Sequence, residues 1–326
     1  MLDFIQDLGH GIYAIDTAFH REHFDAAYLM VEQGRAAFVD TGTRYGVPRL
    51  LDALGALGLS PGAVDYVIPT HVHLDHAGGV GQLMQALPQA QLLVHPRGLR
   101  HMLDPGALWQ GALAVYGEAE MKRSYGELLP VPPERAHASV AGPEGMTVHL
   151  AGRPLWLLDT PGHARHHHCV WDERSRGWFT GDTFGLSYRE FDSARGPWLF
   201  PTSTPVQFEP DALAESVRQM LARRPQAMYL THFSRIGRDE QDVARLGANL
   251  LELVDQMVSL SLQIHANGWT PAARQTALED ALRELLLDRA SRHGSALSRQ
   301  QMADLLALDI VLNAQGLAVW LDKRGA

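Results

Sequence analysis

The sequence lacks the features that mark secreted, membrane-spanning and nucleic-acid-binding proteins. Its 326 residues include one cysteine, Cys169, which excludes an internal disulfide and is typical of a reducing compartment. No run of about eighteen apolar residues occurs, so we expect no membrane-spanning helix and no membrane partner. The 28 basic residues are outnumbered by 37 acidic ones, and the net charge of −9 argues against a protein that binds nucleic-acid phosphates.

The first residues, MLDFIQDLGHGIYAID, are acidic and contain neither a basic region nor a long apolar stretch. We therefore expect no signal peptide and a cytoplasmic location. Histidine, by contrast, is abundant. The chain has 17 histidines, and many of them fall in three short segments. Because histidine is a frequent metal ligand, this clustering directs attention to a metal site.

Up to about residue 233, short apolar segments bounded by Gly, Pro or Asp alternate with helical ones. The apolar segments predict strands at 11–15, 27–32, 35–39, 64–68, 91–94, 147–150, 155–158, 169–171, 178–180 and 228–230. The intervening segments predict helices at about 44–57, 77–86, 107–128 and 211–222. Alternation of this kind predicts a layered α/β domain.

The chain after residue 238 contains no predicted strand. Apolar residues recur at steps of three and four from Val243 to Ile264, which predicts a long amphipathic helix. Thr270, followed by proline, predicts the start of a second helix, and Ser298, with glutamine three residues later, that of a third. We therefore predict a catalytic domain over 1–238 and a helical appendage over 239–326. Whether the appendage completes the core or forms a lid over the pocket stays open.

The densest group of potential ligands is the segment THVHLDHAGG, which follows an apolar strand. His71 and His73 lie two residues apart, and in an extended chain such residues project to the same side and can reach one ion. Asp75 and His76 follow as the chain turns into a helix, so they can point at a second, neighbouring ion. Three further candidates each follow a short predicted strand, as is usual for sites on α/β scaffolds: His163, Asp182 and His232.

These residue types determine which metals and which chemistry suit the site. Imidazole and carboxylate ligands suit Zn²⁺, Fe²⁺ or Mn²⁺, and no thiolate stands at these positions. Two neighbouring cations lower the pKa of a bridging water toward about 7 and polarise a substrate oxygen. A carboxylate shared by two cations is less costly to bury than an unpaired one, so we expect Asp75 and Asp182 to be ionised at neutral pH.

The HxHxDH string at 71–76, followed by a TPGH turn, a TGD turn and a late TH, resembles the metallo-β-lactamase superfamily, matched in order from residue 11 to about 233. The segment FVDTG at 38–42 resembles the first motif of that superfamily. The resemblance implies an αββα sandwich, and the general likeness is to glyoxalase II and lactonase-type members. It assigns His71, His73 and His163 to one metal ion, Asp75, His76 and His232 to a second, and Asp182 to both. It also implies that Asp40 is a buried carboxylate that orients the ligands.

In functional terms, the resemblance implies a hydrolase that cleaves a small ester-like bond, namely a thioester, lactone or phosphoester, in a small-molecule substrate. A hydroxide bridging two divalent ions would be the nucleophile, with Asp75 and Asp182 as the catalytic carboxylates. Zinc is the first expectation, and iron and manganese are the alternatives. A homodimer stays open.

Two other functions stay open as well. Some superfamily members that resemble this pattern hold a single iron on two histidines and one aspartate and oxidise glutathione persulfide. In this chain that iron would bind to His71, His163 and Asp182. Other members with helical C-terminal additions act as regulators through partner contacts while retaining a metal site. Two ions per chain favour the hydrolase, and one redox-active iron favours the oxygenase.

Some residues near the predicted ligands are harder to assign. His166, His167 and His168 follow His163 and run into a strand, so we expect supporting or core positions rather than ligands. Phe184 and Tyr188 closely follow Asp182, and we therefore predict that they lie near the substrate pocket. An aromatic-lined pocket is what small organic substrates usually meet.

Overall fold

The computed structural model of the protein describes residues 2–203 and 206–324. In these ranges, seven strands form a first sheet in chain order: β1 (Ile5–Asp7), β2 (Ile12–Asp16), β3 (Ala26–Glu32), β4 (Arg35–Val39), β5 (Val64–Ile68), β6 (Gln91–Val94) and β7 (Ala136–Ala138). Six more form a second sheet, in which each strand likewise lies beside the next one along the chain: β8 (Met146–Leu150), β9 (Arg153–Asp159), β10 (His168–Asp172), β11 (Gly177–Gly181), β12 (Ala227–Leu230) and β13 (Ser234–Ile236).

The α-helices of the same ranges are α1 (Val47–Ala56), α2 (Leu74–Ala77), α3 (Val80–Ala86), α4 (Pro96–Leu103), α5 (Gly106–Tyr116), α6 (Glu118–Glu120), α7 (Pro210–Ala222), α8 (Glu240–His265), α9 (Pro271–His293), α10 (Arg299–Leu305) and α11 (Ala307–Arg324). No single helix in the described chain is long and apolar enough to cross a membrane, whereas α10 and α11, bent by 60° at their junction, meet that length and composition test as a pair.

The chain divides into two compact units. The first contains the chain up to Asp159 together with His166–Gly181 and Gln226–Arg235. The second contains Thr160–Arg165, Asp182–Pro225 and the chain from Ile236 onward. The C-terminal helices thus group with Asp182–Pro225 rather than standing apart, whereas the functional division at residue 239 and the lid stay predictions.

The first unit holds both sheets, and side chains from the two sheets pack into a shared apolar cluster. Tyr28 of the first sheet contacts Phe179 of the second at 5.1 Å between ring centroids, and Phe179 stacks on Tyr229 at 4.8 Å. Neighbouring residues of a strand point to opposite faces, so Leu29 and Phe38 pack on the other face, against helices α1, α3 and α4. Strand β3 is therefore apolar along most of its length because both of its faces are covered.

The second unit consists mainly of helices α7–α11, and its helix starts follow the sequence signals. Asp239 accepts a hydrogen bond from the backbone of α8, and Thr270 does the same for α9 with proline in the first turn. Ser298 and Gln301 form a reciprocal capping box on α10. The buried stripe of α8 runs from Val243 to Ile264, as its periodicity predicts.

Several predicted boundaries are wrong, each for a local reason. The helix predicted at 107–128 is broken into α5, α6 and a π-helical turn at Met121–Tyr125, because Gly117 adopts a left-handed backbone with φ 78°. The helix predicted at 77–86 begins earlier and is interrupted at the Gly78–Gly79 pair. The strands β1, β7 and β13 have three residues each, too few to carry a periodic signal. The helix α11 was not predicted as a separate helix, although its buried Ile310, Leu317 and Leu321 recur at helical spacing.

Candidate metal centre

The candidate ligands of the first unit lie just beyond the ends of three strands. Asp40 follows β4, the segment from Thr70 to His76 follows β5, and His232 follows β12. Strands β4 and β5 are parallel, so their carboxyl ends meet at the same sheet edge. A rigid sheet edge that carries functional side chains on its loops is how α/β scaffolds build sites.

Asp75, His76 and His232 form one cluster whose ligand atoms all lie within 4.8 Å of one another. The Nε2 atom of His232 is 3.4 Å from Asp75 Oδ2, and the Nε2 atom of His76 is 3.8 Å from the same oxygen. Two ligands of a tetrahedral ion, each about 2.0–2.1 Å from the metal, stand roughly 3.4 Å apart. The spacing and the donor types therefore fit one divalent ion.

Both histidines of this cluster are held by their second ring nitrogen. His232 Nδ1 lies 2.8 Å from the carbonyl oxygen of Phe24, and His76 Nδ1 lies 2.9 Å from Asp40 Oδ2. These oxygens can only accept, so each Nδ1 carries the proton and donates it. The Nε2 lone pairs are then directed toward Asp75. Metal-binding histidines usually show this arrangement, which fixes the tautomer and the ring direction.

Asp40 is a buried residue whose carboxylate connects the strand ends that carry the candidate ligands. Its carboxylate accepts hydrogen bonds from the Thr70 backbone N–H at 2.6 Å, the Thr70 hydroxyl at 3.0 Å and the Thr231 hydroxyl at 2.7 Å, besides that of His76. Its backbone adopts φ 56°, a left-handed conformation that Asp tolerates better than most residues. Asp40 thereby links the ends of β4, β5 and β12, and these contacts are those expected of a residue that orients ligands.

His71 and His73 form a second pair in the first unit. Nε2 of His71 lies 2.8 Å from Nδ1 of His73, and Nδ1 of His71 lies 3.2 Å from the Thr70 hydroxyl. His71 is buried and His73 is half-buried. The two-residue spacing thus places two ring nitrogens against one another, as the sequence predicts.

The second unit presents His163 and Asp182. His163 Nε2 lies 3.4 Å from Asp182 Oδ2, and both side chains are buried. His163 Nδ1 lies 3.4 Å from the carbonyl oxygen of Thr202, so this ring also offers Nε2 as its ligand atom. Gly162 has φ 132°, and a Cβ there would lie 2.2 Å from the backbone nitrogen of Leu213, so the turn before His163 requires glycine.

Phe184 and Tyr188, predicted near the substrate pocket, are fully buried in the second unit. The hydroxyl of Tyr188 donates to the Asp309 carboxylate of α11 at 2.9 Å, and its ring packs edge-on against Phe200. These contacts hold Tyr188 in the fold of that unit. The pocket assignment of both residues stays a prediction.

Two of the three histidines after His163 lie beside the ligand segment. The His167 ring stacks on His71 at 4.8 Å between centroids, and the His166 ring meets His73 edge-on at 5.4 Å. His168 instead accepts from the Ser139 hydroxyl at 2.9 Å and lies 2.9 Å from the Pro69 carbonyl. In these contacts all three pack against the ligand segment or hydrogen-bond to residues beside it. The alternation of side chains along a strand does not by itself predict which of the three contact His71 and His73.

Thr70 and Thr231 are functional residues that motif reasoning missed. The hydroxyl of each donates a hydrogen bond to Asp40. Each also directly precedes a candidate ligand, Thr70 before His71 and Thr231 before His232. The repeated Thr-His pair after two different strands was the available signal. A hydroxyl is the donor that a buried carboxylate needs, and threonine suits the end of a strand.

Two further buried groups have shifted pKa values. Burial raises the pKa of Asp25 to about 7, against the opposing influence of His232 and His76. Burial also lowers the pKa of His168 to about 4, and the nearby His95 acts in the same direction. His168 is therefore neutral at pH 7, and its Nε2 proton is donated to the Pro69 carbonyl two residues before His71.

The part of the chain that carries the candidate ligands is also the part that is similar to known proteins. The family model described as the Metallo-beta-lactamase superfamily matches residues 21–232. A metallo-beta-lactamase fold-containing protein of Sulfurisphaera tokodaii is 28% identical over 63% of this chain and 71% of its own length. An acyl-coenzyme A thioesterase of Gallus gallus is 27% identical over 59% of this chain and 67% of its own.

A similar fold is found among solved structures. A metallo-beta-lactamase family protein from Thermus thermophilus superposes with a TM-score of 0.57, covering 98% of this chain and 96% of that one. The sequence identity is 21%, so this likeness concerns the fold alone. The coverage includes the C-terminal helices as well as the two sheets.

We predict that Asp40→Asn lowers metal affinity by about 10- to 100-fold, the usual effect of removing a partner that orients a ligand. The amide cannot accept from all four donors, so the His76 ring loses its fixed tautomer. Competition with a chromophoric chelator measures the affinity. Asp65→Asn, which removes the ion pair with Arg35, is the control and should leave affinity unchanged. Parental affinity in a folded Asp40→Asn protein would contradict the assigned role.

A second prediction concerns acid stability. The unfolded state protonates His168 near its usual pKa of about 6.5, whereas the folded state does so only near 4, so stability is full above 6.5 and falls as the pH drops. His168→Gln should therefore reduce the loss of unfolding free energy between pH 6.5 and 4.5 by about 2 kcal/mol. Urea unfolding at a series of pH values measures it. Exposed His149→Gln should behave like the parent, and equal pH slopes in all three would refute the prediction.

Proposed function

The chain belongs to the metallo-beta-lactamase superfamily, and from this we propose that it is a dinuclear-metal hydrolase that cleaves a small ester-like bond. The observation that carries the proposal is the cluster in which His76 and His232 turn Nε2 toward the carboxylate of Asp75. Every proposed ligand lies within the residues that the family model matches. A relative named as a thioesterase supports hydrolysis, and it favours thioesters among the three bond classes.

We propose two ligand sets. Asp75, His76 and His232 hold one ion, and His71, His73 and His163 hold the other, with Asp182 shared by both. The pairing of ring nitrogens at His71 and His73 and of nitrogen and carboxylate at His163 and Asp182 supports these sets. All donors are imidazole or carboxylate, which suits zinc first and iron or manganese as alternatives.

When bound, divalent ions supply an activated water and polarise the oxygen of the scissile bond. The residues of the chain supply the rest. Asp75 is a quarter exposed, so its carboxylate contacts both histidines and solvent, and we assign to it the acceptance of a proton from the attacking water. His76 and His232 donate their Nδ1 protons to Asp40 and to the Phe24 carbonyl, which fixes the tautomer and the direction of each ring.

Several further expectations belong to the proposal. They are a cytoplasmic location, a small-molecule substrate and the absence of nucleic-acid or membrane partners, while a homodimer stays open. The proposal favours the hydrolase over a single-iron oxygenase because Asp75, His76 and His232 form a further group of potential ligands, which a single iron on His71, His163 and Asp182 would not use. A regulator that only retains the metal would not need Asp75 to be exposed to solvent.

Metal counting tests the ligand sets. We predict about two transition-metal ions per chain by elemental analysis. Asp182→Ala should lower occupancy at both sites because the side chain is shared, whereas Asp75→Ala should mainly empty one. The exposed Asp211→Ala is the matched control and should keep both ions. Two ions retained by the Asp182 variant would refute the shared carboxylate, and a single iron in the parent would support the oxygenase.

Activity tests the reaction. We predict turnover with at least one of a thioester, a lactone and a phosphoester, its loss on chelation and its return with added zinc. The ratio kcat/KM should rise with pH along a limb with an apparent pKa near about 7, since a metal-activated water must lose a proton. Asp75→Asn should lower kcat by roughly 10²- to 10⁴-fold. A rate that is insensitive to chelation, or an inactive protein with a stable protein partner, would count against the hydrolase.

A further inference from the structure

Helix α5 is an apolar helix none of whose side chains is fully buried. The segment PGALWQGALAVYG, from Pro105 to Gly117, contains no charged residue. Helices of this composition normally bury at least one face. Here each residue of α5 is half-buried or exposed, and Val115 is 41% exposed. One face of the helix, which includes Leu113 and Tyr116, packs partly buried against an apolar cluster. The apolar surface that remains open beside this face is typical of a binding site.

A cavity of about 540 Å³ lies against this helix. Its wall includes Trp109 and Gln110 of α5, Tyr45, Leu128 and the exposed Lys122. The volume is within the range of cavities that bind small organic ligands. The aromatic and aliphatic part of this wall offers contact area to an apolar group, and its charged residues, Glu118, Lys122 and Glu127, are exposed to solvent.

The wall of this cavity also packs on the metal-binding segment. Trp109 belongs to the same apolar cluster as Leu74, Met121 and Tyr125. Leu74 stands between the candidate ligands His73 and Asp75. The helix that lines the cavity is therefore supported by the loop that presents the ligands, within the first unit.

A second cavity, of about 300 Å³, adjoins the first and shares one lining residue with it. Tyr45 lines both cavities, and its hydroxyl donates to the Lys122 carbonyl at 2.7 Å. His20 and Arg123 line the second. The His20 ring lies 5.5 Å from that of Phe24, and the Phe24 ring lies 5.2 Å from that of the candidate ligand His232. The second cavity is therefore one aromatic residue away from the metal cluster.

We propose that the cavity under α5 binds the apolar acyl or alkyl chain of the substrate, with Tyr45 between this chain and the smaller cavity that His20 lines. This inference rests on the proposed hydrolysis of an ester-like bond, because it identifies what one side of that bond carries. A chain that enters the cavity gains affinity from each methylene removed from water, about fourfold per methylene when fully buried. The substrate class is then a medium-length acyl or alkyl ester or thioester rather than a small polar one.

The first test uses neutral probes that do not bind metal, namely 1-hexanol, 1-octanol and 1-decanol, with the full-length metal-loaded protein. Calorimetry and tryptophan fluorescence should show saturable binding that strengthens with chain length. Trp109→Ala removes an aromatic wall and should weaken 1-octanol binding at least about tenfold. Gly106→Leu should fill the cavity and shorten the longest chain that binds. A Cβ there meets only Asp104 Oδ1, at 3.3 Å, so the second variant should fold even if the first does not.

Ala114→Leu is the matched control, since it lies on α5 but does not line the cavity, and it should bind like the parent. Absent binding, or an equal chain-length dependence in the Gly106→Leu variant, would overturn the proposal. The proposal would also be overturned if the parent sedimented with phosphatidylcholine vesicles, or associated with itself, and if Ala114→Glu abolished that behaviour. Helix α5 would then be a membrane contact in the first case and a subunit contact in the second. Ester turnover without chain-length preference would refute this inference alone, whereas chain-length-dependent alcohol binding without any turnover would refute only the proposed hydrolase.

Discussion

The buried carboxylate of Asp40 is the interaction on which the candidate centre depends. A carboxylate removed from water is costly unless hydrogen bonds replace its hydration. Asp40 meets this condition with the backbone and hydroxyl of Thr70, the hydroxyl of Thr231 and the ring of His76. Because these donors come from segments after different strands, satisfying one charge also aligns the strand ends. The direction of His76 is a consequence of the same arrangement.

The two-sheet core explains why this arrangement can be held. Tyr28, Phe179 and Tyr229 pack between the sheets, and the hydroxyl of Tyr28 donates to the carbonyl of Leu230, just before Thr231. The loop that carries His232 is thus tied to the core on one side and to Asp40 and Phe24 on the other. Functional side chains on short loops of a rigid sheet are positioned well because little of the loop is free to move.

The sequence predicted those features that depend on residues close together in the chain. The ligand types and the spacing of His71, His73 and Asp75 predicted the clusters, and Thr270 and Ser298 predicted helix starts, because a cap acts within three residues. The partners of Asp40 were not predictable in this way. Thr231 is 191 residues distant, and only the fold brings it near. The partial burial of α5 was likewise not predictable, since periodicity indicates which residues are apolar but not what covers them.

The central claim is that Asp40 and Phe24 hold His76 and His232 so that their Nε2 atoms bind a metal together with Asp75. Anomalous X-ray diffraction from crystals of the zinc-loaded protein tests this most directly. The account predicts a zinc peak at about 2.0–2.1 Å from both Nε2 atoms, with the Nδ1 atoms still bonded to Asp40 and Phe24. Zinc bound only elsewhere, or bound through the Nδ1 atoms with those hydrogen bonds broken, would contradict it.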